Sequence, residues 1–241
     1  MRTDILFYPS CLCSIFVFSF LSTLLRIVII IIINNNSRLA LILAGLEFED
    51  DRVKFDQWKD LKPQTPYGQL PILRVDDGPV RTQSMAMLRW VGSQSPTLYP
   101  ATSLYKIEEA MGVVEDLRQS WAPCLYVANA PTKYGHPEGF SQTDAGKETV
   151  QRMRETWVRE SLPKFAGYLQ GLLASNDGAW LASTKDPTIV DCVAVVFLRG
   201  FTRGHVDHVP TTCLDDFPVL VDYIKRFCAL VPGRYTDGLH E

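Results

Sequence analysis

The sequence lacks two features that would indicate common classes of function: a large excess of one charge and cysteines in C-x-x-C pairs. Its 241 residues carry a formal net charge of −3, which gives no general reason to expect binding to nucleic acid. The six cysteines are scattered without a C-x-x-C pair, so no zinc site of that type is predicted. In a chain of this length they are typical of reduced thiols in a reducing compartment. With 46% hydrophobic residues, the chain has enough apolar material for one or two domains.

One segment departs from this globular composition, because residues 11–33 are almost wholly apolar. Three interpretations stay open. A helix of about 20 residues spans a bilayer, so the segment predicts a membrane anchor. Residues 28–33 are β-branched throughout, which favours a buried strand. A run of Ile followed by the three Asn of 34–36 is also what AT-rich non-coding sequence yields when translated, so we set residues 1–36 apart as an atypical hydrophobic segment.

From residue 37 onward the pattern predicts alternating helices and strands. Ser37 can cap and Gly45 can end a short helix. The region 58–68 is rich in Pro, Gln and Gly and is predicted to be a loop. Strands are predicted over 46–55, 69–75 and 80–83, and a helix over 84–91. With one further strand upstream this order completes a βαβ unit, and we assign 37–93 to a single α/β domain.

A polar linker over 93–100 separates this domain from a second half that is helical throughout. Apolar residues at spacings of three and four predict long helices, and Pro163 should kink or break one of them. The predicted helices cover 104–121, 144–173, 188–198 and 215–230. We therefore predict an all-helical domain over 99–241.

Four residues near the last two strands are suited to hold an extended peptide. Pro71 has no N–H to give to a sheet ladder. If the Leu70–Pro71 bond is cis, the N–H and C=O of Leu70 face outward and can pair with a ligand as an added strand does. Ser84 is a suitable N-cap, and the free N–H groups at a helix start can hold a carboxylate. Gln83 adds an amide donor and acceptor.

Trp58 and Lys62 precede this peptide site in the predicted loop. An indole N–H and an ammonium are both donors without acceptor capacity, so side chains aimed into one groove would recognise a second carboxylate. Taken singly, each is more typical of a packed aromatic or a solvated lysine. The pair His205 and His208 has no further ligand beside it, and we assign no metal site there.

Together these residues resemble the cytosolic glutathione transferases, and most closely their tyrosine-dependent, sigma-like branch. The resemblance rests on K-P-Q-T-P-Y-G-Q-L-P-I-L (62–73), Q-S-x-A-x-L-R (83–89) and R-L-A-L-I-L-A-G (38–45). In the helical half, Thr188 and Asp191 stand at the N-cap and N3 positions of a capping box. The resemblance covers residue 37 to the C terminus and implies a thioredoxin-like domain followed by an all-helical one.

The resemblance also implies a function and a set of site residues. It implies a cytoplasmic homodimer that conjugates glutathione, the co-substrate, to electrophilic small molecules; isomerase and peroxidase activities stay open. A non-catalytic glutathione-binding relative and a membrane-tethered form through residues 11–33 are the alternatives. The implied ligand residues are Trp58 and Lys62 for the glycyl carboxylate, Gln69 and Leu70 with Pro71 for the peptide, Gln83 and Ser84 for the γ-glutamyl carboxylate, and Asp116 for the glutamyl amine bound by the neighbouring subunit.

The group that activates the thiol is the one part of the pattern that is displaced. A free thiol has a pKa near 8.5, and a hydroxyl that donates a hydrogen bond to the sulfur lowers it. In the family branch this hydroxyl is a tyrosine at the end of the first strand, about a dozen residues before Arg38. Counting back reaches Ile27, and no hydroxyl lies between Arg26 and Ile33. Tyr8 is therefore the candidate activator, and otherwise the chain lacks one.

Overall fold

The computed structural model of the protein describes residues 27–31, 36–175 and 179–233. The first part combines strands and helices: β1 (Ile27–Ile31), α1 (Asn36–Leu43), β2 (Phe48–Arg52), α2 (Phe55–Leu61), β3 (Ile72–Val75) and α3 (Ser84–Ser93). The second part is helical: α4 (Leu104–Asn129), α5 (Asp144–Thr156), α6 (Leu162–Ala174), α7 (Ile189–Phe201) and α8 (Pro218–Cys228). This confirms the predicted fold class, a thioredoxin-like unit followed by helices, whereas the boundaries at 37–93 and 99–241 stay a prediction.

The central strand of the sheet comes from the apolar N-terminal run. The strand order is β2-β1-β3, with β1 parallel to β2 and antiparallel to β3. Ile27 and Ile29 are buried on one face, as expected for β-branched residues in a covered strand. The strand interpretation is thus confirmed for residues 27–31, and the remainder of 11–33 lies outside the described residues. Among the helices that the structure describes, none has both the length and the apolarity for crossing a membrane.

Helix α1 packs behind the sheet and is tied to β2 by a buried ion pair. Residues 36–41 are all buried, and the Arg38 Nε donates a 2.7 Å hydrogen bond to the Asp50 carboxylate. Arg38 is only 2% exposed, so Asp50 offsets the cost of burying its charge. Gly45 follows the helix at φ +66, the left-handed conformation in which glycine ends a helix at no steric cost.

Three predicted elements differ from those observed in this part of the chain. The strand expected over 46–55 is shorter, since Phe55 already begins α2. The loop expected over 58–68 is partly helical, because α2 continues through Leu61 into a 3₁₀ turn, Lys62–Gln64. The returning strand expected over 80–83 is reduced to one bridge, in which Arg81 and Leu73 exchange backbone hydrogen bonds of 2.7 and 2.9 Å.

Helix α7 lies at the centre of the helical part, and its start is fully buried. Asp191 accepts hydrogen bonds from the Thr188 N–H at 2.7 Å and the Thr188 hydroxyl at 3.1 Å, so the predicted capping box is present. Its carboxylate also accepts from the Leu181 N–H at 3.2 Å and the Tyr223 hydroxyl at 2.8 Å. Burial raises the pKa of Asp191, and burial also raises the pKa of Tyr223 well above its usual value.

The remaining helices follow the predicted periodicity with shifted ends. Helix α4 extends beyond the predicted range to Asn129. The predicted break near Pro163 is confirmed, because the π-helical turn Trp157–Ser161 separates α5 from α6. Helix α8 starts at Pro218 rather than residue 215, and proline suits the first helical turn.

The two parts pack closely where α3 meets the start of α7. A Cβ at Gly92 would lie 2.6 Å from the Ile189 side chain and 2.9 Å from that of Tyr99. The Ile189 N–H donates to the Leu98 carbonyl at 3.0 Å. The linker is thereby fixed between the helices, which holds α3 in place beside the sheet.

Candidate functional site

The beginning of β3 presents unused backbone groups beside a cis proline. The Leu70–Pro71 bond is cis, which is the condition under which the N–H and C=O of Leu70 are expected from the sequence to face outward. Pro71 is buried and Leu70 is half-buried. Within the described residues, neither the N–H nor the C=O of Leu70 has a backbone partner. These two groups are therefore available to an added strand.

The start of α3 carries a second set of unused donors. Gln83 is the N-cap and Ser84 is the first helical residue, which corrects the prediction that Ser84 is the cap. The first backbone bond of the helix runs from the Met87 N–H to the Gln83 carbonyl at 2.9 Å. The amide groups of residues 84–86 precede that bond, so they are the orphan donors of the helix start. With the positive end of the helix dipole, they can hold a carboxylate.

The backbone at Gln83 has an uncommon conformation. Its φ is 67° and its ψ is 103°, whereas most residues other than glycine avoid positive φ. Such positions cost free energy and concentrate at ligand-binding sites. The Gln83 side chain is exposed and makes no hydrogen bond to the described residues, so its amide is free for a ligand.

The sheet register brings these two sets of donors together. Arg81 pairs with Leu73 in antiparallel register. Along the two segments, Pro71 lies two residues before Leu73 and Gln83 lies two residues after Arg81, so the bridge brings the start of β3 and the start of α3 to the same end of this pairing. We call these four residues, Leu70, Pro71, Gln83 and Ser84, the cradle. Its outward groups are one strand edge and one helix start, which suit an extended peptide that ends in a carboxylate.

Trp58 and Lys62 lie one helical turn apart. Both were predicted in a loop, but Trp58 belongs to α2 and Lys62 is the C-cap, whose N–H bonds to the Trp58 carbonyl. A spacing of four places their side chains on one face. Trp58 is half-buried and Lys62 is exposed. The Lys62 side chain runs alongside Gly68, and its Cε lies 3.5 Å from the position that a Cβ at residue 68 would occupy. Glycine at this position leaves room for the lysine side chain.

For the other predicted site residues that it describes, the structure gives a position but no contact that tests the predicted role. Gln69 is exposed immediately before the cradle, and Asp116 is exposed on α4. Tyr8 lies outside the described residues. The β1 sequence Ile-Val-Ile-Ile-Ile offers no hydroxyl. Since Ile30 pairs with Ile72, the end of β1 lies beside Pro71, where a thiol activator would be needed.

A polar network behind the cradle was not predicted from the sequence. Arg89, on α3, donates from Nε and Nη2 to both oxygens of Glu108 on α4, at 2.9 and 2.6 Å. The Tyr99 hydroxyl donates to the same carboxylate at 2.6 Å. The Arg89 hydrogen bond lowers the pKa of Glu108. Arg89 belongs to the Q-S-x-A-x-L-R motif, and the network fixes α3 to the helical part.

Among the residues that the structure describes, neither a nucleophilic cysteine nor a metal cluster competes with this site. The Cys124 thiol donates to the Met153 carbonyl at 3.6 Å, and burial raises its pKa, so it stays protonated. The four described cysteines are free thiols. In the part of the chain that the structure describes, no three His, Cys, Asp or Glu side chains are grouped to hold a metal ion.

Comparison with protein families finds two matches along the chain. The glutathione S-transferase N-terminal domain matches residues 36–94, which include α1 to α3 and the cradle. The glutathione S-transferase C-terminal domain matches residues 136–230, which include α5 to α8.

Curated relatives and solved structures agree with these matches. Glutathione S-transferase 1 of Ascaris suum is 48% identical over 182 residues, which cover 71% of this chain and 79% of that protein. Glutathione S-transferase 2 of Manduca sexta is 35% identical over 96 residues, 39% of this chain and about half (47%) of the relative. The glutathione S-transferase structure from Ascaris lumbricoides has a TM-score of 0.60 at 22% identity and covers 85% of this chain and 92% of its own. Prostaglandin synthase D of Nilaparvata lugens has a TM-score of 0.68 at 19% identity and covers 88% of this chain and 96% of its own.

Proposed function

Because this chain belongs to the glutathione S-transferase family, we propose that it conjugates the thiol of glutathione to electrophilic small molecules. Glutathione is the co-substrate that family membership implies. The observation that carries the proposal is the cradle, in which the bridge between Leu73 and Arg81 joins two segments that carry the unpaired backbone of Leu70 and the start of α3 without a side-chain cap. Both features match the chemistry of an extended peptide with a terminal carboxylate.

We assign the ends of the tripeptide from the donors available. Leu70 pairs with the cysteinyl backbone, and the amide groups at the start of α3, with Gln83 and Ser84, hold the γ-glutamyl carboxylate. Trp58 and Lys62 hold the glycyl carboxylate, since both are donors on one face of the chain. Gln69 lies between these ends and contributes to the peptide contact.

The proposed activator of the thiol is Tyr8. Its hydroxyl would donate a hydrogen bond to the sulfur and so favour the thiolate. The absence of a hydroxyl from Ile27–Ile31 supports a donor from elsewhere in the chain. The electrophile would lie between the end of β1, helix α4 and the C-terminal part.

We further propose the sigma-like branch of the family, a cytoplasmic location and a homodimer. The motif over 62–73 supports the branch. Asp116 supports the dimer, since it is exposed on α4 and is free to reach an amine of a ligand bound by the partner subunit.

Affinity chromatography with a turnover assay tests the proposal. The full chain should be retained on immobilised glutathione, be released by free glutathione and turn over a reactive aryl halide. Tyr8→Phe should keep the retention and lose most of the turnover, because only the hydroxyl is removed. Absence of retention would contradict the assigned site. Retention of the unsubstituted chain without turnover would instead identify a glutathione-binding relative without catalysis.

A further inference from the structure

A polar cavity of about 300 Å³ lies within the helical part, and the cradle does not contribute to it. It is bounded by the end of α4, the turn before α5, one face of α5 and the loop that carries Asp207 and His208. From α5 it is lined by Lys147, Val150 and Arg154. The spacings of three and four place these residues on one helix face. A cavity of this size corresponds to the lower end of small-molecule sites.

Arg154 is a buried cation whose guanidinium makes no direct ion pair with a carboxylate in the described part of the chain. It is 7% exposed, and its Nη1 donates to the Asp207 backbone carbonyl at 3.0 Å. Its Nε is buried without a hydrogen-bond partner. Arg89 shows the usual arrangement, in which two of the three guanidinium nitrogens donate to one carboxylate. A buried charge without a hydrogen-bonded counter-charge is costly, so the site at Arg154 is incomplete as it stands.

The charged side chains that line the cavity carry a net positive charge. Lys147 contributes an exposed ammonium, whose contact with Asp144 is a 4.0 Å pair between exposed side chains and is therefore weak. Asp207 supplies the one acidic side chain of the lining and attracts Arg154. Burial lowers the pKa of Arg154, which is consistent with incomplete compensation. The two cations are thus opposed by a single carboxylate.

We propose that this cavity binds a small anionic molecule through a carboxylate or phosphate group. The guanidinium of Arg154 and the ammonium of Lys147 meet the oxygens of the anion, because such charge-assisted hydrogen bonds are the strong ones and a guanidinium matches the geometry of an oxyanion. Ser141 and Gln142 line the same cavity and provide neutral polar groups for the rest of the molecule. The site is independent of glutathione binding.

Calorimetric titration of the full chain with inorganic phosphate and, separately, succinate tests this proposal at constant ionic strength. The two titrations distinguish a phosphate site from a carboxylate site. Lys147→Gln should weaken binding about threefold to fivefold, as for an exposed charge. Arg154→Met should weaken it about tenfold or more, as for a charged hydrogen-bond donor. Lys225→Gln is the matched control, since Lys225 is an exposed lysine that also pairs with an acid three residues away, Asp222 at 3.7 Å.

Each outcome of these titrations either supports or overturns the proposed anion site. Saturable binding of either anion that Lys147→Gln weakens and Lys225→Gln leaves unchanged supports the site. Absence of saturable binding by the unsubstituted chain overturns it. Equal affinity of the Lys147→Gln and Lys225→Gln variants also overturns it, because the attraction would then belong to the surface charge in general. If Arg154→Met does not fold, the two lysine variants still decide the question.

Discussion

Helices α3 and α7 begin in opposite ways within the same molecule. At α7, Thr188 and Asp191 are completely buried. The carboxylate of Asp191 meets four donors, two of them from Thr188 and one each from Leu181 and Tyr223. The side chains of Thr188 and Asp191 both have internal partners, so this start serves the fold.

At α3 the corresponding donors are left open. Gln83 is exposed, its side chain caps nothing, and its backbone has a positive φ. Ser84 follows as a half-buried first helical residue. Under the proposed function, capping state separates the structural start of α7 from the binding start of α3. Orphan donors satisfied within the protein stabilise it, whereas orphan donors that face a groove are available to an anion.

The largest expected effect comes from opening the closed start. Asp191→Ala should lower the free energy of unfolding by about 3–5 kcal/mol, because it leaves several buried donors without an acceptor. Chemical denaturation with urea measures this. Thr143→Ala is the control, since Thr143 is exposed and its hydroxyl caps α5 by accepting from the Gly146 N–H at 3.0 Å, and the substitution should cost about 1 kcal/mol. Equal losses for the two variants would show that burial of the Asp191 network adds nothing.

The second effect should appear at the open start, in binding rather than in stability. Ser84→Ala should weaken glutathione binding about tenfold, as expected for loss of a hydrogen bond to a charged group. Its unfolding free energy should change little, because the Ser84 hydroxyl has no partner among the described residues. Equilibrium binding and urea denaturation measure the two quantities.

Ser93→Ala, at the other end of α3, is the matched control for the open start. Its exposed hydroxyl donates to the Trp90 carbonyl at 2.7 Å and accepts from the Gln94 side-chain amide at 3.0 Å. The control should bind glutathione like the unsubstituted chain. Unchanged affinity in Ser84→Ala would count against the cradle as the carboxylate site.

The sequence predicts those parts of the fold that depend on local pattern. The helix periodicity, the break near Pro163 and the capping box of Thr188 and Asp191 are encoded within a few residues, and each is confirmed. Helix α2 was missed because Pro, Gln and Gly dominate the segment after it, although Phe55, Trp58 and Leu61 repeat at a spacing of three. The segment 80–83 is predicted to be a strand but forms a single bridge at Arg81. The two cases share the same local composition, so the sequence alone does not separate them.

Contacts that join distant residues could not be predicted in this way. Tyr223 meets Asp191 across 32 positions of sequence, and Arg89 meets Glu108 across 19. Neither pairing leaves a periodic signal. The cradle was identified from its motif, but its geometry depends on the pairing of Arg81 with Leu73, which sets one segment against another.

The smallest expected effect concerns the network that holds the open helix start against α4. The Arg89 hydrogen bond lowers the pKa of Glu108 below its usual value of 4.5, so folding favours the ionised carboxylate. Its contribution is present above about pH 4.5 and is lost as the pH falls through the folded pKa. Because the side chain is 35% exposed, solvent screening keeps the contribution below about 1 kcal/mol. The unfolding free energies of Glu108→Gln and the unsubstituted chain should therefore differ at pH 7 and converge as the pH falls below 4.5 and the carboxylate becomes protonated. Glu115→Gln, which breaks a more exposed pair within α4, should show a smaller gap. A gap for Glu108→Gln that stays constant with pH would mean that its contribution to stability does not come from the ionised carboxylate.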